Sequence, residues 1–114
     1  MLFAVRIIDR VACMPKTTAG RHIAGQVLRS GTSPAPNYAE ARGAESRADF
    51  VPKLRIAVKE LYETGIWLLI ILKARMAPEA LVTGLAKENR ELARMLSASI
   101  RTALAKGSQR TDDK

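Results

Sequence analysis

Apolar residues recur along this chain at steps of three and four, and the steps break where proline or glycine falls. Phe3, Ile7, Val11 and Met14 form the first series, which Pro15 closes, so the spacing predicts a helix over residues 2–14. Thr17 and Thr18 can cap a second helix over 17–45, with Ile23, Val27 and Leu28 as its apolar stripe. Within it, Pro34 and Pro36 each remove a backbone donor and push the preceding residue away from helical geometry. Either the helix ends at Gly31 or it kinks; the helix-forming residues from Asn37 onward favour a kink near 31–36.

The longest series runs Phe50, Leu54, Ala57, Val58, Leu61, Gly65, Leu68, Leu69 and Leu72, and predicts a helix over 49–75. Ser46 and Asp49 both suit its N-cap; with Asp49 as the cap, Pro52 falls at the third helical position, where a missing N–H has no partner to lose. Up to Glu63 the opposite face is charged, but from Ile66 the helix is apolar all round. A helix apolar on every side is buried on every side. Residues 49–75 would span roughly 40 Å, too long for so small a domain to wrap, so Ile66, Trp67, Ile70 and Ile71 are expected at a subunit interface. Pro78 then opens a last helix over 78–106, striped by Leu81, Leu85, Leu92, Leu96, Ile100 and Ala103. Asn89 stands in its apolar seam, and Gly107 is the expected stop.

These elements predict an all-α four-helix bundle over residues 1–107, with 108–114 as a solvated tail. The length of 114 residues fits one domain. A 47% hydrophobic and 26% charged composition is that of a globular chain, and only 4% aromatic residues beside abundant Ala, Leu and Ile favours helix over sheet. Cys13 is the single cysteine, so no internal disulfide can form. Arg6, Asp9 and Arg10 interrupt any secretory hydrophobic region, and Ile66–Leu72 falls far short of the roughly 20 residues that cross a bilayer. A cytoplasmic protein with no membrane partner is expected.

The net charge of +8 changes the functional picture. Residues 1–30 carry +4, residues 31–65 are neutral and residues 66–114 carry +4, so the excess lies toward the two ends. Lys87, Arg90, Arg94 and Arg101 fall along one side of the last helix, Arg6 and Arg10 on the first, and Arg21 and Arg29 on the second. Such stripes could neutralise phosphates and bind RNA or DNA in a salt-dependent manner. The plainer alternative is a solvated face that keeps the protein in solution, since no aromatic platform accompanies the charge in the sequence.

Catalytic patterns are weaker. A di-iron bundle needs Glu-x-x-His on two helices, and the chain has one histidine, His22, three residues after Ala19. Cys13 and His22 are the remaining nucleophile and base, and nothing marks either as activated. Glu40, Glu60 and Glu63 could hold a divalent cation, but Arg29, Lys53 and Lys59 are at hand to neutralise them, Lys59 with Glu63 at the four-residue helical spacing. No enzyme activity, cofactor or metal is expected.

The polar string from Gln26 to Ser33, with Asn37, Glu40, Ala41, Ser46, Asp49, Phe50 and Lys53, followed by Lys59, Glu60, Glu63, Thr64, Trp67 and Leu68, resembles the four-helix bundle protein family. That family is also called the ribosomal RNA intervening-sequence protein family and is similar to accessory proteins of diversity-generating retroelements. The resemblance implies an antiparallel up-and-down protomer, a ring-like homopentamer and no enzymatic activity. It implies that Arg29, Ser33, Asn37, Glu40, Glu63 and Thr64 form a polar network between the second and third helices. It implies two classes of partner: nucleic acid held by the basic faces or, alternatively, a protein such as a reverse transcriptase with no direct nucleic-acid contact. The chain departs from the family where Ser33-Pro34-Ala35-Pro36 replaces a smoother join, and its first helix reads a turn or two short at its start.

Overall fold

A computed structural model describes residues 2–44 and 47–112, and every regular element among them is an α-helix. In chain order these are α1 (Leu2–Val11), α2 (Thr18–Thr32), α3 (Pro34–Arg42), α4 (Arg47–Lys73) and α5 (Glu79–Asp112).

Local chemistry sets most of the boundaries. Thr17 is extended (φ −88°, ψ 168°), and its Oγ1 accepts the Gly20 N–H at 3.0 Å, capping α2. At the proline segment Ser33 keeps helical dihedrals (φ −63°, ψ −36°). Its N–H donates to the Arg29 carbonyl at 3.2 Å, and the Ser33 carbonyl accepts the Asn37 N–H at 3.4 Å. The prolines therefore interrupt the hydrogen-bond ladder without turning the chain out of helical geometry, and α2 and α3 meet at a bend.

The start of α4 at Arg47 lies two residues ahead of the expected one, which places Pro52 inside the helix instead of at its third position. Asp49 falls in the first turn, where a carboxylate complements the helix dipole; Ser46, the other cap candidate, lies outside the described residues. At the far end Arg75 adopts a left-handed conformation (φ 56°). The Met76 N–H donates to the Ile71 carbonyl at 3.0 Å and the Arg75 N–H to the Leu72 carbonyl at 3.2 Å. This is a Schellman cap with arginine where glycine is usual.

The last helix continues through Gly107, the expected stop, as far as Asp112, so 108–112 extend α5 and are not an unstructured tail. Glycine costs about 1 kcal/mol in a helix but does not forbid one. A glycine stop requires a left-handed residue, and none of the described glycines has positive φ.

Helix α4 is the hub, packing on α5, α3 and α2, while α1 packs on α2 and α5. The result is a rod of 59 × 20 × 20 Å. Its core gathers Ile7 of α1, Val27 of α2, Leu61 and Leu68 of α4, and Val82 and Leu85 of α5. Along α4 the buried line advances by sevens, as Leu54, Leu61 and Leu68 and as Ala57, Thr64 and Ile71. Ile71, expected at a subunit interface, is thus a core residue at 4% exposure. Trp67, also expected there, is half-buried against the same core. Leu69, expected in the core stripe, faces outward with Tyr62, Ile66 and Ile70, and Leu28 of α2 is likewise exposed. Helix α1 also has a second apolar face: Phe3 and Ile7 point inward, while Leu2, Val5 and Ile8 are exposed. No helix among the described residues is long and apolar enough to cross a membrane.

Candidate nucleic-acid groove and polar seam

The six residues of the expected polar network are placed in three groups. At the α2–α4 contact, Thr64 Oγ1 lies 2.8 Å from Ser30 Oγ and 2.8 Å from the Glu60 carbonyl, and both side chains are fully buried. A hydroxyl has one proton, so the pair is satisfied when Thr64 donates to the carbonyl and Ser30 donates to Thr64. One turn outward, Arg29 reaches across to Glu60 at 3.2 Å and to Glu63. The hydrogen bond to Glu63, then the charges of Glu63 and Glu60, hold the Arg29 guanidinium above its ordinary range. Arg29 takes the place at Glu63 that the helical spacing offered to Lys59.

Asn37 turns back within its own helix, donating to the Ser33 carbonyl at 3.0 Å and to Ser33 Oγ at 3.2 Å. Glu40 pairs with Lys53 at 2.6 Å, tying α3 to α4. Arg29, Glu63 and Thr64 therefore bridge helices, Glu40 does so separately, and Ser33 with Asn37 brace the bend. Glu40, Glu60 and Glu63 each face a cation, and no group of three metal-ligating side chains is present among the described residues. Cys13 is exposed, and His22 stands edge-on to Trp67 with ring centroids 6.2 Å apart.

The eight basic candidates also divide. Arg6 is held by Glu88 at 2.6 Å, and Arg29 by its two glutamates. Arg10, Arg21, Lys87, Arg90, Arg94 and Arg101 are exposed. Three of them converge: Arg90, Arg94 and Arg101 line an open groove of about 500 Å³ between α5 and α4, whose other wall carries Tyr62 and Ile66. Arg101 and Tyr62 also line an adjoining groove with Arg55 and Lys59. The groove floor holds Gly65 and Asn89. Asn89 is 3% exposed; its Nδ2 donates to the Leu61 carbonyl at 2.8 Å, and its Oδ1 has no donor.

Three features of this surface lie outside the candidates read from the sequence: Ser30 as the partner of Thr64, Tyr62 as a wall of the basic groove, and Arg55 with Lys59 as its extension. Tyr62 stands seven residues from Arg55, on the charged face of α4, and that position was the available signal. Its proximity to arginines of another helix is a tertiary fact that spacing along one helix does not carry.

Comparison with known proteins matches residues 1–98 to a family model described as 23S rRNA-intervening sequence protein. Among solved structures, the chain is similar to a protein of unknown function from the S23 ribosomal protein family of Bacteroides thetaiotaomicron. The two share 34% identity over 87% of this chain and 92% of that one, with a TM-score of 0.81. No curated protein matches the chain.

Proposed function

We propose, from the premise that this chain belongs to the 23S rRNA-intervening sequence protein family, that it is a non-enzymatic helical scaffold binding nucleic acid, RNA ahead of DNA, along the α4–α5 groove. The observation that carries this reading is the convergence of Arg90, Arg94 and Arg101 on one groove, with no carboxylate paired to any of them among the described residues. Guanidinium groups without internal partners are free to displace counterions from a phosphate backbone. Binding of RNA should fall linearly with salt on logarithmic axes. Changing all three arginines to glutamine should lower affinity more than tenfold and flatten the salt slope by roughly 2 to 3. Affinity that ignores salt would sink the reading.

The scaffold we propose is an antiparallel up-and-down protomer that closes into a ring, five copies being the number the resemblance favours. A connection of only five residues, 74–78, between α4 and α5 supports the antiparallel pairing. A ring needs two different complementary patches on each copy. The exposed Leu2, Val5 and Ile8 of α1 and the exposed Ile66 and Ile70 of α4 supply two apolar faces, on helices that pack on common neighbours. Light scattering should give a mass several times 12.5 kDa, and a monomer would refute the assembly.

A second reading, a protein-interaction module for a partner such as a reverse transcriptase, draws on another apolar groove of about 330 Å³. It is flanked by the exposed Tyr38 and Met95. Partners that survive nuclease treatment in a pull-down would favour it.

A further inference from the structure

Helix α1 has 10 residues, about 15 Å of helix, whereas α4 has 27 and α5 has 34, about 40 and 50 Å. It packs on α2 and α5, so it accompanies the long pair along α2 and reaches its first turn where α3 takes over. There Phe3 and Ala4 meet Gly31 and Pro34 at the apolar groove of about 330 Å³, which opens between α3 and α5 over Leu61 of α4. Beside α3 the bundle therefore shows three helices, and its fourth side is this groove. The α3 wall is small (Ala35, Ala39) and the α5 wall is large (Leu92, Met95, Leu96). Met95 is 63% exposed and Tyr38 40%, so much of the apolar surface faces water. The rim is charged at one end. One turn past Tyr38, Arg42 holds its guanidinium 5.9 Å from the Tyr38 ring centroid and donates to the Tyr38 hydroxyl at 3.2 Å, with no carboxylate paired to it among the described residues. On α5, Lys106 follows Ser99 by seven residues, on the same side of the helix.

We propose that this groove takes one amphipathic helix of a partner protein, about three turns long and in line with α1, with its apolar stripe against Met95 and Tyr38 and its acidic residues at Arg42. The inference rests on the protein-interaction reading above and names the segment that reading binds. The groove walls are themselves helices, so an extended peptide finds no strand edge to pair with, whereas a helix satisfies its own backbone and needs only side-chain packing. The small residues of the α3 wall let another helix approach to the 8–10 Å usual between packed axes. A helix in that place completes the four-helix section that α1 completes beside α2. Charge decides against a second copy as the occupant. The exposed apolar face of α1 travels with Arg6 and Arg10 against Asp9 alone, and the chain as a whole carries +8, so it would bring like charge to Arg42.

The test is fluorescence anisotropy of the full chain with a labelled, cross-linked helical peptide of roughly four turns, carrying leucine at i, i+3 and i+7 and glutamate in its first turn. A version with lysine for glutamate should bind about fivefold more weakly at low salt, the scale of one exposed ion pair, and a version with serine for leucine should not bind. Arg42→Glu should reverse the preference between the acidic and basic peptides. Ala39→Trp and Met95→Glu, both at exposed positions and so without consequence for the melting temperature, should each lower affinity at least about tenfold. The triple arginine variant of the basic groove should bind the peptide as the parent does. No binding of the acidic peptide, equal binding of all three peptides, or binding untouched by Ala39→Trp and Met95→Glu overturns the inference. An anilinonaphthalene dye held by a chain that ignores the peptide reassigns the groove to small apolar molecules, and a fall in mass by light scattering on Ala39→Trp reassigns it to a second copy. Protein partners recovered after nuclease treatment by the parent but by neither variant support the groove; equal recovery by all three overturns it and leaves the protein-interaction reading standing. No partner after nuclease treatment removes that reading and the inference together.

Discussion

Leu61→Ala should destabilise the protein by about 3 kcal/mol, within the roughly 2 to 5 kcal/mol measured for leucine truncations in well-packed cores. Leu61 is fully buried, and it occupies the middle of the line that runs from Leu54 to Leu68 along the hub helix. The core cluster it belongs to draws on several elements, including Phe3 and Ile7 of α1 and Ala93 of α5. Those backbones are held by their own helices and cannot collapse into the space, so a cavity cost adds to the lost transfer energy. For a chain of this length the melting temperature should fall by about 10–15 °C. Ile66→Ala is the informative control, since Ile66 lies on the same helix but on its exposed face. It should change the stability of the protomer by less than about 0.5 kcal/mol, leaving its effects to assembly and to the groove that Ile66 lines.

The second large effect should come from a much smaller change. Gly20→Ala places a Cβ 2.1 Å from the Pro15 carbonyl oxygen and 2.9 Å from its carbon, both backbone atoms that no rotamer change can move. Relief requires the first turn of α2 to shift away from residues 15–17, which breaks the Thr17 cap and disturbs the buried Met14. Losing the cap alone costs about 1 kcal/mol, and overpacking of this kind typically costs about 1 to 3 kcal/mol. Alanine returns about 1 kcal/mol of helix propensity, so a net loss of about 2 kcal/mol is expected in urea melts. Gly25→Ala separates the two contributions: a Cβ there meets nothing within 4 Å, so that variant should be stabilised by about 0.5–1 kcal/mol. Gly20→Ala as stable as the parent would show that the segment before α2 gives way freely.

How far the chain could be read in advance depended on whether polar residues marked the faces of each helix. Along residues 50–63, charged positions fall between the apolar ones, and the inward line Leu54, Ala57, Val58 and Leu61 is legible from spacing alone. From Ile66 to Leu72 every residue is apolar, so spacing cannot say which face turns inward, and Leu69 and Ile71 exchange places between expectation and structure. Carrying the seven-residue step from Ala57 through Thr64 reaches Ile71. Thr64 obscured that step by being polar, and its burial depends on Ser30, 34 residues away. Asn89 was legible because it interrupts an otherwise apolar seam, although the seam alone could not tell which of its amide atoms finds a partner. Gly107 misled for a different reason: glycine permits a helix stop but does not compel one.

The candidate groove was legible in part. The arginine stripe of α5 follows from helical periodicity, whereas Tyr62 belongs to it only because α4 lies alongside. A low aromatic content drew attention away from Tyr62, which lines the groove beside the arginines. Conversely, Arg6 and Arg29 looked as available as the other arginines, and carboxylates from distant segments hold them.

The 59 × 20 × 20 Å outline bears on how the copy number must be counted. A body three times as long as it is wide tumbles slowly about its short axes and presents a large Stokes radius for its mass. It therefore leaves a sizing column ahead of a sphere of equal weight. Rods closing into a ring would shed that elongation, so retention volume would change less steeply with mass as copies are added. The same protein would look too heavy as a single chain and, once assembled, lighter relative to that starting point. Scattering intensity follows mass irrespective of outline, and the disagreement between it and the column would itself reveal whether the long axes had come together.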